Sequence, residues 1–227
     1  MLEVKYDEAR WRILSRLRER AISLMKPFVA HGLNPVVYGS IARGDVDEKS
    51  DVDVFVPLST STAMIELYLT QAGIKVRDRV LIQATPSHVP KAYFIIDDYA
   101  SISLPLLRMT EDELGFYKLA GQLTLDELRR GIRVPGISKE LMLIIPTSDG
   151  HIEMPVERNV EEAASILKID PKILRNRVRV LRKRRELGRT GVYRETIIPE
   201  EKSFEQVLDE LIDRDPALRR RVKRVGR

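Results

Sequence analysis

The sequence predicts an α+β fold, with a mixed sheet and its helices over residues 1–156 and a smaller, mostly helical part over residues 157–227. Three observations lead there. Short apolar runs of strand length alternate with segments of helical period through the first hundred residues. A later apolar run, a turn signal at Asp149-Gly150 and a second apolar run read as a hairpin. From Asn159 onward the pattern turns helical and the charge turns positive. Pro155 to Arg227 holds 20 Lys and Arg against 13 Asp and Glu, whereas Met1 to Met154 holds 19 against 21.

Asp7 to about Ala30 reads as a helix, because Trp11, Leu14, Leu17, Ala21, Met25 and Phe28 recur every three or four residues with Arg and Glu between them. Gly32, Asn34 and Pro35 end it. Val36 to Tyr38 is a short strand, Ile41 to Asp45 a brief helix, and Val52 to Leu58 the next strand. One of Ser59, Thr60 and Ser61 caps a helix that runs to about Ala72 and stops at Gly73. Ile74 to Ala84 alternates as a strand, with Val76, Asp78, Val80 and Ile82 on one side and Lys75, Arg77 and Arg79 on the other. Ala92 to Ile96 and Ser101 to Leu104 pair across a turn at Asp97-Asp98. Thr110-x-x-Glu113 and Thr124-x-x-Glu127 are capping boxes that each open a short helix. Leu141 to Ile145 and the run holding Ile152 and Met154 form the hairpin. The core of this first part falls within about residues 1–110.

The composition, 43% hydrophobic and 32% charged over 227 residues, is that of a globular chain rather than a disordered one. There is no cysteine, which excludes disulfides and thiolate metal sites and makes the cytoplasm the default compartment. The opening stretch MLEVKYDEARWRI has no signal-peptide apolar core, and nothing approaches the ~18 apolar residues of a membrane span. A net charge of +5, gathered in the back part, points to a polyanion partner; a solvated basic face is the bland alternative.

The stretch VVYGSIARGDVDEKSDVDVFV, Val36 to Val56, carries the chemistry. Aspartate is depleted in strands, yet Asp51 and Asp53 sit at and inside one. Residues i and i+2 of a strand point to the same side, so the two carboxylates project together while Val52 and Val54 face the core. Two carboxylates side by side repel unless a divalent cation sits between them. Mg²⁺ takes carboxylates plus substrate phosphates, so the missing partner is a nucleoside triphosphate. Gly39 lets the backbone approach a ligand, and Ser40 with the adjoining amides can hold phosphate oxygens. Arg43, one turn on, can add a charge-assisted bond. The alternative is a salt-bridged edge strand, with Lys49 or Arg43 as partner.

This arrangement resembles the DNA-polymerase-β-like nucleotidyltransferase superfamily, in its minimal nucleotidyltransferase form. An apolar residue and Gly-Ser are followed by ten residues and then Asp-x-Asp among apolar residues, here VVYGS, Ile41 to Ser50, and DVDVFV. The likeness covers about Val36 to Ala84. It implies a metal-dependent enzyme in which Asp51 and Asp53 bind Mg²⁺ (two ions, with Mn²⁺ as a substitute) and Gly39, Ser40 and Arg43 bind the nucleotide. An NMP would pass from an NTP such as ATP to an acceptor, releasing pyrophosphate. The family supplies a third carboxylate from the next strand. Asp78 is the first choice, since it interrupts an apolar face, and Asp97 is the rival; if neither serves, the site binds nucleotide without turnover. His31, His88 and His151 stand apart and read as loop histidines, and Tyr93, Phe94 and Tyr99 read as core with base contact as the alternative.

In the basic part, Val160, Ala163, Ala164 and Leu167 form one face of a short helix capped by Asn159. Pro171 opens a second, whose apolar face is Leu174, Val178 and Leu181 and which Gly188 stops. Two helices joined by a tight turn, then GRTGVYRETII as a wing, resemble a winged helix-turn-helix domain. The resemblance implies binding of DNA or tRNA through Arg175, Arg179, Arg182 and Lys183. Ser203 to Ile212 is a further helix, capped by Ser203 with Gln206, that packs on the body or forms an oligomer contact. The end, RDPALRRRVKRVGR, reads as a mobile tail awaiting polyanion. Two other functions fit the same residues: a DNA-binding regulator that senses nucleotide, and an antitoxin-like protein that modifies a partner protein. No membrane contact is expected.

Overall fold

The computed structural model describes residues 1–187 and 191–226, without the side chains of residues 184, 185 and 187. In chain order, β1 (Leu2–Lys5) precedes α1 (Glu8–Ala30), β2 (Val36–Tyr38), α2 (Ser40–Arg43), β3 (Val52–Phe55) and α3 (Thr62–Gln71). Then come β4 (Asp78–Gln83), β5 (Lys91–Asp97), β6 (Ala100–Pro105), α4 (Glu111–Ala120), β7 (Gln122–Thr124) and α5 (Leu125–Arg129). β8 (Gly136–Ile137), β9 (Met142–Pro146), β10 (Gly150–Pro155), α6 (Val160–Leu167), α7 (Pro171–Leu187), β11 (Arg194–Ile197), α8 (Phe204–Arg214) and α9 (Pro216–Val225) complete it. Among the described residues no helix is long and apolar enough to cross a membrane. Contacts divide the chain into two units, one of Met1–Ile22, Val36–Val52 and Glu111–Thr190, the other of Ser23–Pro35, Asp53–Thr110 and Gly191–Arg227. The expected division into 1–156 and 157–227 gives way to this interleaving: the segment after Asn159 is shared between both units.

In the first unit an antiparallel sheet runs β1-β10-β9-β8. The β9–β10 hairpin is the one the Asp149-Gly150 signal predicts. β1 comes from the N-terminus, where Leu2, Val4 and Tyr6 alternate with Glu3 and Lys5; Leu2 lies opposite Glu153 and Lys5 opposite Gly150. Tyr6 fastens it, its hydroxyl 2.6 Å from His151 Nδ1 and its N–H donating to Asp149 O at 2.9 Å. α6 and α7 close over this sheet. Ala163, Ala164, Leu174 and Leu181 pack with Leu119, Leu143, Met154 and Val156 in one buried cluster. Asn159 does not cap α6 through its side chain: Nδ2 turns back to Pro155 O at 2.8 Å. The Thr124–Glu127 capping box forms as expected and opens α5. Gly188, expected to stop α7, lies outside the described residues.

In the second unit strands stand in the order β11-β4-β5-β6-β3, with β5 and β6 the expected hairpin. The supposed wing is absent in that role. Arg194–Ile197 forms β11 and pairs antiparallel with β4, Arg194 opposite Gln83 and Ile197 opposite Val80. α8 carries the Ser203–Gln206 capping box that its sequence announces. Its Phe204 is fully buried and meets Phe94 edge-on at 5.2 Å.

Glu205, one residue into α8, caps a different helix. Its carboxylate accepts the Thr62 N–H at 2.9 Å and the Thr62 hydroxyl at 2.8 Å. Ser61 stands at the N-cap position of α3 but makes no side-chain cap bond, so the cap comes from 143 residues away. Burial pushes the Glu205 carboxyl up, but the bonds from Thr62 outweigh it and hold the pKa below its ordinary 4.5. A lowered carboxylate pKa contributes stability that is present above pH 4.5 and lost as pH falls through the folded-state value. Glu205→Gln removes that contribution, so the expected urea-melt stability of the variant falls less between pH 5 and pH 3 than that of the wild type. Equal slopes would place the acid sensitivity elsewhere.

Candidate functional site

β2 ends at Tyr38 and the chain turns sharply at Gly39, whose φ of 83° and ψ of −144° belong to glycine. Nothing lies within 4 Å of where its Cβ would be, so the backbone angle, not crowding, demands glycine here. Gly39 N–H donates to Gly121 O at 2.9 Å, and its carbonyl accepts from Ala42 and Arg43 N–H, starting the four-residue α2. The Ser40 side chain is half-exposed.

Arg18 holds the other end of α2. It is 8% exposed and donates to Ile41 O through Nε and Nη2 at 3.2 and 3.1 Å. Burial pushes its pKa down to about 10, so it remains charged at neutral pH. Helical periodicity placed Leu14, Leu17 and Ala21 inward and gave no sign that Arg18 joins them.

Arg43 does not face a phosphate. It is 5% exposed and grips Asp45 with two bonds of 2.9 Å, Nε to Oδ1 and Nη2 to Oδ2. Its Nη1 donates to Ala120 O at 2.7 Å and Ile137 O at 3.4 Å. The expected nucleotide contact is therefore replaced by a buried structural fork. The same commitment removes Arg43 as an ion-pair partner for Asp51 or Asp53.

The loop before the aspartates is tied to itself. Asp47 Oδ1 accepts the Lys49 N–H at 2.8 Å, and Ser50 Oγ accepts the Asp47 N–H at 2.9 Å. Asp51 follows, exposed, immediately before β3. Asp53 is half-buried within β3, between Val52 and Val54, both fully buried, as period-two alternation requires.

In the second unit β6 lies beside β3, with Val56 N–H donating to Ser103 O at 2.8 Å. Ser101 Oγ donates to Asp53 Oδ1 at 2.7 Å. Ser103 sits opposite Tyr93 and Ser101 opposite Ile95, so these four share one face of β5 and β6. Burial, then the negative charge of Asp53, push the Tyr93 hydroxyl up to about 12. Phe94 is core, as read, and Tyr99 is exposed.

Neither expected third carboxylate lies on the strand next to β3. β5 and β6 separate β4 from β3, and three strand spacings amount to about 14 Å. Asp78 on β4 instead takes a 2.9 Å bond from Arg77 Nε. Asp97 ends β5, two spacings or about 10 Å away, and accepts the Tyr99 N–H at 2.8 Å. Among the described residues no group of three or more His, Cys, Asp or Glu gathers as a metal site. On the adjacent strand the residue bonded to Asp53 is Ser101.

Residues 15–101 match the nucleotidyltransferase domain family. The matched segment contains the Gly39 turn, Ser40, both aspartates and Ser101. No curated protein and no solved structure matches the chain.

Outside that segment, α7 brings Arg175, Arg179, Arg182 and Lys183 together along an open groove of about 560 Å³, with Glu186 at its edge. Two of the four carry ion pairs, Arg175 with Glu161 and Arg182 with Glu157. His31 stacks on Tyr68 at 3.8 Å, and His88 Nδ1 lies 2.5 Å from the Thr85 hydroxyl. His151 is no loop residue: it lies on β10, 2% exposed, between Tyr6 and Glu153.

Proposed function

We propose that this chain transfers an NMP from an NTP to an acceptor hydroxyl, with pyrophosphate leaving, and that α7 contacts nucleic acid. The observation that carries the first half is the family match over residues 15–101, which contains the Gly-Ser turn and the Asp-x-Asp pair at the spacing that defines the chemistry. Asp51 and Asp53 would hold Mg²⁺. The donors are oxygen only and two in number, which suits an ion that takes one or two protein carboxylates and completes its shell with phosphates and water. Once bound, the ion neutralises triphosphate charge and lowers the pKa of the attacking hydroxyl. The Gly39 N–H is committed to Gly121 O, so Ser40, at the start of α2, is the residue that would hold phosphate oxygens. Ser101 orients Asp53, as hydrogen bonds to metal-binding carboxylates do.

For the second half, α6 and α7 are two helices joined by residues 168–170, and four cations of α7 share one groove. DNA and tRNA both present the phosphates such a face would neutralise.

The test is incubation of the full chain with α-labelled NTPs and Mg²⁺ in the presence of DNA, tRNA or co-purifying protein. Pyrophosphate release is expected, reduced about 100-fold or more in Asp51→Asn and in Asp53→Asn, since even outer-shell changes at metal sites cost 10–100-fold. A second reading has one observation in its favour: the strand beside Asp53 offers a serine and not an acid. On that reading the fold senses nucleotide in a DNA-binding regulator. NTP binding that requires both aspartates but yields no pyrophosphate would select it.

A further inference from the structure

Within the stretch that reads from sequence as a mobile tail, Pro216–Val225 forms a helix whose charges are sorted to one side. Asp215 opens α9, its Oδ1 accepting N–H bonds from Ala217 at 2.8 Å and Leu218 at 3.4 Å. Leu218 is fully buried. Arg221, 4% exposed, donates from Nη1 to Ser87 O at 2.7 Å and from Nη2 to Arg108 O at 3.0 Å. Val222 and Val225 are half-buried. With 3.6 residues per turn these four fall on one side of the helix. Arg219, Arg220, Lys223 and Arg224 fall within an arc of about 140° on the opposite side, all exposed.

Nothing in the fold accounts for that arc. Among the described residues none of the four cations has an ion-pair partner, whereas Arg12, Arg130 and Arg182 each pair with an acid. α9 contains no acid from Pro216 to Val225. Arg219–Lys223 and Arg220–Arg224 are like charges four apart, which work against a helix. The helix dipole favours Lys223 and Arg224 in the last turn but not Arg219 and Arg220 in the first half.

We propose that this face of α9 binds the phosphate backbone of a nucleic acid, independently of α7 and from the second unit. The proposal rests on the nucleic-acid reading above for its class of partner. An anionic membrane is the other polyanion a basic helix could meet, but interfacial helices bury an apolar stripe in lipid, and that of α9 is already spent on Leu218 and its neighbours. A phosphodiester strand needs only the charged side.

The experiment follows binding of the full chain to a short DNA duplex, to tRNA and to phosphatidylserine vesicles across a salt series. It compares wild type with R219Q/R220Q/K223Q/R224Q, with the charge-keeping R219K/R220K/R224K, and with R175Q/R179Q/R182Q/K183Q on α7. Glutamine is a good helix former, and circular dichroism checks that α9 persists. The α9 glutamine variant should bind the duplex with a salt slope shallower by about 3.6 in log–log units, about 0.9 per lost phosphate contact, while the lysine variant keeps the wild-type slope. An unchanged slope in the glutamine variant overturns the proposal. If only the α7 variant weakens binding, the α9 proposal fails and the nucleic-acid reading stands. If the wild type binds neither nucleic acid, both fail. Loss of vesicle binding alone would make the partner a membrane and overturn it as well.

Discussion

Arg43→Ala is expected to lower stability by about 3–5 kcal/mol, the cost of stranding one member of a buried ion pair. The Asp45 carboxylate, its side chain 15% exposed, would lose both bonds from its guanidinium partner. The carbonyls of Ala120 and Ile137 would lose their donor at the same time. Arg43→Lys should recover little. An ammonium is a point charge, and the site requires a planar fork that reaches two carboxylate oxygens and two carbonyls together. Urea melts of the three proteins check this, and a lysine variant as stable as the wild type would show that charge alone suffices. Because Arg43 ends α2, the alanine variant also loosens the turn at Gly39 and Ser40.

Phe204→Ala is expected to cost about 3–5 kcal/mol, the range for emptying a buried aromatic site. The ring is fully buried and packs edge-on against Phe94 of β5. Removal of Gly191–Arg227 should be more severe. It strips β11 from β4, takes Glu205 from the start of α3, and uncovers Phe94. If the segment were a separate domain, the truncated chain would melt at the wild-type temperature, and that result would contradict the fold described here.

The contrast shows what the residues announce and what they do not. β2 is legible as a short apolar run, α3 from its capping residues and the Gly73 stop, the β5–β6 hairpin from the turn at Asp97-Asp98, and β3 because Val52 and Val54 bracket Asp53. β1, β7 and β8 are two to four residues long and owe their state to partners far along the chain. α9 was hidden by its own charge: four cations masked the stripe of Leu218, Val222 and Val225. Arg43 was legible as a cation near the Gly-Ser turn, but two of its acceptors lie 77 and 94 residues away. Asp78 is set apart from Asp53 by topology. It opposes Ile95 on the face that carries Tyr93 and Ser101, as its alternation implies. The strand order that puts β5 and β6 between it and Asp53 cannot be read from a local pattern.

The central claim is that Asp51 and Asp53 together hold a divalent ion that presents a triphosphate. Crystals soaked with Mn²⁺ and a non-hydrolysable NTP test it most directly, through the anomalous signal of the metal. The expected result is a peak bonded to carboxylate oxygens of both aspartates, with triphosphate oxygens completing the shell near Gly39 and Ser40. Nucleotide bound with no metal on these carboxylates, or metal held by other residues, would contradict it.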